Sequence, residues 1–417
     1  MKITCFQKSL VFLILLLIGI QSTTLAQDED LYSFEVDEFT KKIWEWKGFV
    51  SFTATNKTYN KDAVTYPIKI KNDESDSQEY ELILGLESRW DWDWSRLFLI
   101  GEINAIRSSI SENDEDDSVL QEAYWQLAGL EPHNFEVGKR LLRWGKGYAF
   151  NPVALMERTK NPEDPEASRE GLWTTQGIWI TGALAGFETT SINLVYLPIR
   201  EDLNDDYQSS VEEDDIWGLK LYALIGTTDI DIYAVNWDQE KVTQWGIDFA
   251  TNLSVNFELH GEYVTSKYED YNRNESLLGL RYLTDTDVTW IAEVYSDSEG
   301  LTADESKTLY ENIENSSGIK AQSYLSQIQQ RKTINQNYGY IKVSVKEPFN
   351  WLYFTPSLTW LGNLDDQSSN VSTQMSYAPS DNWTILLTWQ HMAGSQYTQY
   401  GENVVQDKLA LMTSYSF

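Results

Sequence analysis

Seven cations, Lys139, Arg140, Arg143, Lys146, Arg158, Lys160 and Arg169, fall within one short span of a 417-residue chain whose net charge is −32. Long basic side chains gathered on so acidic a background suit two kinds of chemistry. They hold anions or orient zwitterionic and sugar solutes at a narrow point, or they pair with the nearby carboxylates Glu157, Glu163, Asp164, Glu166 and Glu170. Arg140, Arg143, Lys146 and Arg158 are the candidates for lining a constriction, with local pairing the stronger reading for the stretch Arg158–Arg169. Acid–base chemistry has one candidate, His260, flanked at i±2 by Glu258 and Glu262. No Ser–His–acid set accompanies it, so a charge-paired histidine is the plainer reading. His133 and His391 are the other two histidines. The chain shows no zinc-ligand spacing and no phosphate-cradling glycine loop, so neither enzyme activity nor a metal or cofactor is expected. Its acidity argues against nucleic acid as a partner.

The elements that must position these residues are strands. Segments such as Tyr80–Ser88, Ile216–Ala223, Val255–Tyr263, Ser276–Tyr282, Leu352–Trp360 and Trp383–Trp389 alternate apolar and polar residues. A period of two is the signature of a strand with one greasy face. Each is about ten residues long, the length of a tilted membrane-crossing strand. Short turns, near 90–94, 129–134, 183–187, 226–229, 251–254, 284–287, 347–350 and 378–382, alternate with longer polar segments. That long–short alternation predicts an all-β, transmembrane antiparallel β-barrel of about eighteen strands, with sixteen as the alternative. No apolar run after the amino-terminus is long enough for a membrane-spanning helix. Thirteen per cent aromatic residues, with 17 Trp and 24 Tyr, suit rings at two membrane–water interfaces.

The ends of the chain point to a compartment. Lys2 and Lys8, the apolar run Leu10–Ile20 and the small residues near Ala26 read as a secretory signal peptide over 1–26, cleaved before Gln27. Residues 27–42 are then a short periplasmic segment before a barrel over 43–417. Cys5, the only cysteine, lies within the signal. The chain closes on Leu409-Ala-Leu-Met-Thr-Ser-Tyr-Ser-Phe417, apolar at nearly every second position. This strand resembles the closing strand of bacterial outer-membrane β-barrels, which implies that Tyr415 and Phe417 form the signal read by the barrel-assembly machinery. The resemblance also implies an outer-membrane location, with lipid and lipopolysaccharide as surroundings. The run Gly138-Lys-Arg-x-x-Arg-Trp-Gly-Lys-Gly, followed by Asn151-Pro152, is similar to a segment of porin-like families of the porin or alginate-export kind. That likeness covers about thirty residues and implies a channel, without naming a permeant.

Within such a barrel the third loop, 144–172, is expected to fold toward the lumen, because Trp144, Tyr148, Phe150, Leu155 and Met156 demand burial. Asn151 before Pro152 predicts an N-cap and one or two helical turns to Arg158. Alternation places Glu87, Arg89, Glu102, Glu122, Lys220, Glu258, His260, Glu262, Arg281 and Glu293 on the lumen face. Thr302 and Glu305 form a capping box that opens a helical hairpin in the longest loop. The acidic segments 112–118 and 201–215 read first as solvated loops. The expected function is diffusion of small hydrophilic solutes. The alternative is a plugged structural or adhesive barrel with surface-loop partners. About sixteen residues between signal and first strand leave no room for the plug of an energy-coupled transporter.

Overall fold

The computed structural model describes residues 43–417 except 71–72, 111–113, 128–131, 185 and 208–212. The expected signal peptide, the segment 27–42, Glu112 and part of the second short turn therefore lie outside the described residues. Strand alternation runs through eighteen antiparallel strands, from β1 (Trp44–Tyr59) and β2 (Asp76–Asp91) to β18 (Val405–Ser416). Each strand pairs with its neighbours in sequence, and β1 pairs with both β2 and β18, so the sheet closes on itself. Closure gives every backbone amide of a strand a partner without leaving an edge.

The two faces of the sheet differ in chemistry. Phe52, Leu82, Leu86, Trp217, Ile247, Leu278, Val294 and Leu411 are exposed on one face. Their immediate neighbours in sequence point the other way and are mostly polar or buried. Exposed Leu, Ile and Trp on a contiguous outer face match contact with lipid rather than water. Near one end the outer face carries a run of rings. Trp46 meets Phe417 edge-on at 5.9 Å, and Trp383 packs on Tyr415 at 5.1 Å.

Seventeen connections join the strands, and the long ones gather at the end opposite Phe417. Several connections with long-loop patterning are shorter than the sequence suggests: the sixth loop spans only 268–271 and the eighth only 364–367, because the flanking strands extend outward. The longest loop holds two helices, α2 (Ala303–Glu314) and α3 (Ile319–Gln329), after a short α1 (Tyr66–Lys69) in the first loop. The Thr302–Glu305 capping box forms reciprocally, and Gly318, with φ 60°, separates α2 from α3. Tyr310, Ile313, Leu325 and Ile328 of this pair pack with Val64 of the first loop, and Tyr397 of the ninth loop packs against the cluster.

The helix expected from Asn151 to Arg158 does not form. Asn151 does not cap. Its Oδ1 accepts from Lys160 N at 3.2 Å and its Nδ2 donates to Glu157 Oε1 at 3.3 Å. The amide of Val153 donates to Glu262 Oε2 at 3.1 Å, an acceptor 109 residues away. Acceptors supplied by the barrel wall replace those a helix would supply, which local sequence cannot register.

Candidate functional site

Strand β5 (Asn134–Arg140) is short, and beyond Arg140 the chain leaves the wall until β6 (Leu172–Leu184). The intervening residues reach strands spread round much of the closed sheet: β4 (Glu115–Leu127), β9 (Thr228–Trp237), β11 (Phe257–Lys267), β13 (Val288–Asp297) and β14 (Asn337–Val345). One segment can touch all of these only from inside the barrel. Two of the wall's carboxylates do most of the holding. Glu262 of β11 accepts from Lys146 N at 2.5 Å, Gly147 N at 2.6 Å and Val153 N at 3.1 Å. Glu293 of β13 accepts from Tyr148 N, from Ala149 N at 2.8 Å and from Phe150 N at 3.4 Å. Both glutamates are buried. Charge-assisted bonds of this kind are about twice as strong as neutral ones.

Apolar packing completes the attachment. Trp144, Val153, Leu155 and Met156 bury against Val195, Leu197, Ile216, Tyr233, Val235 and Val264 of the wall. Phe150 stacks on Tyr295 with ring centroids 4.5 Å apart. The motif glycines serve this close fit. A Cβ on Gly147 would lie 2.0 Å from Phe150 O, and one on Gly218 of the wall 2.1 Å from Met156 Sδ. Gly145 adopts φ 98°, open to glycine at little cost.

The cations of the segment are mostly spoken for. Arg140 lies 3.0 Å from Glu136 and 3.7 Å from Glu122, with its guanidinium 3.9 Å from the centre of the Tyr124 ring. Lys146 Nζ is 3.0 Å from Asp231, whose other oxygen is 3.3 Å from Lys220. Burial disfavours charge on Lys146, yet the carboxylates of Asp231 and Asp248 outweigh it and hold its pKa above the usual lysine range. Arg158 grips Asp206 through two contacts of 3.0 and 2.8 Å and sits 3.4 Å from Glu170. Arg169 lies 3.5 Å from Glu157, and Lys139 pairs with Glu170. Burial pushes the Glu157 carboxyl up, with Arg169 pulling it back. Lys160 donates to the carbonyls of Gly147 and Tyr148, and burial followed by repulsion from Arg169 lowers its pKa. Arg143 differs from all of these: its side chain remains 71 % exposed, 3.6 Å from Glu122.

The wall residues singled out by alternation fall into two groups. Glu258, His260, Glu262, Glu293 and Lys220 cluster beneath the segment. His260 is wholly buried between Glu293, at 3.0 Å, and Glu258, at 3.5 Å. Tyr148 Oη donates to Glu258 at 3.4 Å. Glu87, Arg89 and Glu102 lie elsewhere, on β2 and β3 (Ser95–Ser108), while Glu122 of β4 accepts from Leu141 N at 3.4 Å where the segment leaves the wall. Glu87 pairs with Lys47 at 3.0 Å, Arg89 with Glu45 at 2.9 Å and Asp91 at 2.8 Å, and Glu102 accepts from Gln121 at 3.1 Å. Arg281 of β12 (Asn272–Leu283) lies opposite Glu258 in the register and hydrogen-bonds Tyr148 of the segment. His133 accepts from Ile180 N at 3.3 Å, and His391 lies 2.8 Å from Asp407. Among the described residues no cluster of metal ligands forms. Sequence reasoning missed Asp231, Gln121 and Lys342. Alternation in 229–235 carried a weak signal for Asp231, whereas Lys342 matters only because Glu166 crosses the lumen to pair with it.

Comparison with solved structures places this geometry on a shared scaffold. The chain is similar to OccK9 (OpdG) of Pseudomonas aeruginosa, with a TM-score of 0.57, 10 % identity, and coverage of 90 % of this chain and 98 % of that one. It is also similar to a BenF-like porin from Pseudomonas fluorescens Pf-5, at 0.54 and 9 % identity over 90 % and 98 % of the two chains. OccAB3 of Acinetobacter baumannii gives 0.53 and 8 % over 90 % and 99 %. At such identities the likeness is one of fold. No family model matches the sequence, and no curated protein sequence matches it.

Proposed function

We propose that the chain is an outer-membrane channel for diffusion of small hydrophilic solutes, with residues 141–171 forming its constriction. One observation carries this reading: the segment reaches across the lumen but seals the inner wall unevenly. Against β7 (Phe187–Ile199) through β11 the wall's inner residues, Val195, Tyr233, Asp248 and Val264 among them, are sealed from solvent. From β15 (Phe354–Asn363) through β18 to β2 the inner positions Ser357, Gln374, Thr388, Ser414, Thr53 and Glu81 stay partly accessible. Small polar side chains facing an unfilled space suit a water-filled passage. The fold shared with a BenF-like porin supports the same reading.

The passage is partly basic at its narrow part, and Arg143, the most exposed of these cations although Glu122 lies 3.6 Å away, contributes more of that character than Arg140, Lys146 and Arg158, which closer carboxylates hold. Lipid, lipopolysaccharide and the barrel-assembly machinery are the partners this reading implies, with a cleaved signal over 1–26. Replacing Arg140, Arg143 and Lys146 by Ala tests it in planar bilayers. The anion/cation permeability ratio is expected to fall, with Arg143→Ala alone giving most of the change. An unchanged ratio contradicts a basic constriction, and a folded barrel that never opens favours the plugged, adhesive alternative.

A further inference from the structure

Where the segment rejoins the wall it leaves a cavity of ≈ 300 Å³, lined by Ile100, Gln121, Glu122 and Arg143 and by Glu166 and Ser168 of the returning chain. Gln121 is 8 % exposed, and its Nε2 donates to Glu102 at 3.1 Å. Its Oε1 has no hydrogen-bond partner among the described residues. A buried amide oxygen left without a donor is costly, so such an atom beside a cavity marks a place where a donor is expected to arrive. Arg143 lines the same cavity, its guanidinium carrying five N–H donors with Glu122 3.6 Å away, on a residue held at φ 58°, a conformation unusual for arginine.

The charges of this cavity are already matched. Arg143 faces Glu122, Glu166 pairs with Lys342, and Arg169 at the rim is held on Glu157. A solute bearing net charge would have to break one of these pairs to gain another. A hydroxyl group instead donates to Gln121 Oε1 and accepts from Arg143 without displacing anything. Ile100 and Leu141 supply an apolar patch of the kind that the C–H face of a ring covers.

We infer that this cavity is a binding subsite for uncharged polyhydroxylated solutes of about monosaccharide size, with Gln121 as acceptor and Arg143 as donor. The inference rests on the channel reading and narrows it to a solute class. Single-channel recording with D-glucose, D-mannitol, lactate and glycine as probes tests both and separates them. Glucose and mannitol are expected to interrupt the wild-type current in a concentration-dependent way, and lactate and glycine to do so far less. Gln121→Leu removes the acceptor and is expected to weaken the sugar interaction roughly tenfold. Arg143→Gln, at an exposed position that folding tolerates, is expected to weaken it several-fold and covers the case in which the buried variant does not fold. A folded barrel with no openings overturns the channel reading itself. Openings that glucose and mannitol leave uninterrupted, stronger interruption by lactate, or unchanged sugar kinetics in both variants overturn the subsite alone.

Discussion

The two sides of the barrel interior are built from different residues. On the side of β7 to β13 the inner wall is Val, Leu, Ile and Tyr with embedded carboxylates, and the segment 141–171 lies sealed against it. On the side of β15 to β2 the inner wall is mostly Ser, Thr, Gln and charged residues, covered where Ala149 and Phe150 cluster with Leu361 and Met392 and partly accessible elsewhere. The difference is instructive because both sides carry the same outer face of Leu, Ile and Trp. Lipid dictates the outside of every strand alike, while the inside records whether a neighbour is chain or solvent.

Removing the carboxylates that hold the segment breaks this comparison most severely. In Glu262→Ala/Glu293→Ala six backbone amides lose their acceptors, each at a cost of about 1–3 kcal/mol while it stays buried. The segment is expected to leave the wall, with a clear rise in single-channel conductance and new protease cleavage near 144–153. Unchanged conductance would mean that these bonds do not hold the constriction. Trp144→Ala comes next. Truncating an aromatic side chain that is 4 % exposed costs about 3–5 kcal/mol, read as a shift in denaturant unfolding of the barrel in vesicles. Ser414→Ala on the other side is expected to change the same midpoint by less than about 0.5 kcal/mol. Similar effects at the two sites would erase the distinction between filled and unfilled sides. The smallest effect on the finished channel is expected from deleting Phe417, whose amide and carbonyl bond Gly48 at 2.9 Å. It should lower the yield of folded barrel, scored by the gel shift on heating, and leave the conductance of assembled molecules as it was. A changed conductance would assign the terminus a part in the passage.

Most of the fold was legible because one period governs it. Alternation such as that of Tyr80–Ser88 needs no knowledge of distant partners, and the turn-and-loop count gave the eighteen strands found. The Thr302–Glu305 box was equally local, and it formed. The third loop shows where local reading ends. Its burial was legible from Trp144, Phe150 and Met156, but its conformation was not. Asn151-Pro152 carries a genuine helix-start signal, overridden by Glu262 and Glu293 more than a hundred residues away. In the basic run, local pairing was the stronger reading for Arg158–Arg169 and a pore-lining role for Arg140, Arg143 and Lys146, but the actual partners were not legible. Asp231 and Asp206, which neutralise Lys146 and Arg158, come from other parts of the chain. Gln121 gave no signal, since its interest lies in one unpartnered oxygen beside a cavity.

The central claim, that solutes pass along one side of the interior while the segment seals the other, is open to a direct test. With Cys5 the only cysteine, and inside the expected signal, the mature barrel offers a thiol-free background for single cysteines. These are placed at Thr388, Ser414 and Glu81 on one side and at Val195, Tyr233 and Val264 on the other. Conductance is then followed while a small water-soluble methanethiosulfonate reagent is added. The account predicts a stepwise fall in current for the first three and none for the last three. Equal modification of both sets, or modification confined to the second, would contradict it.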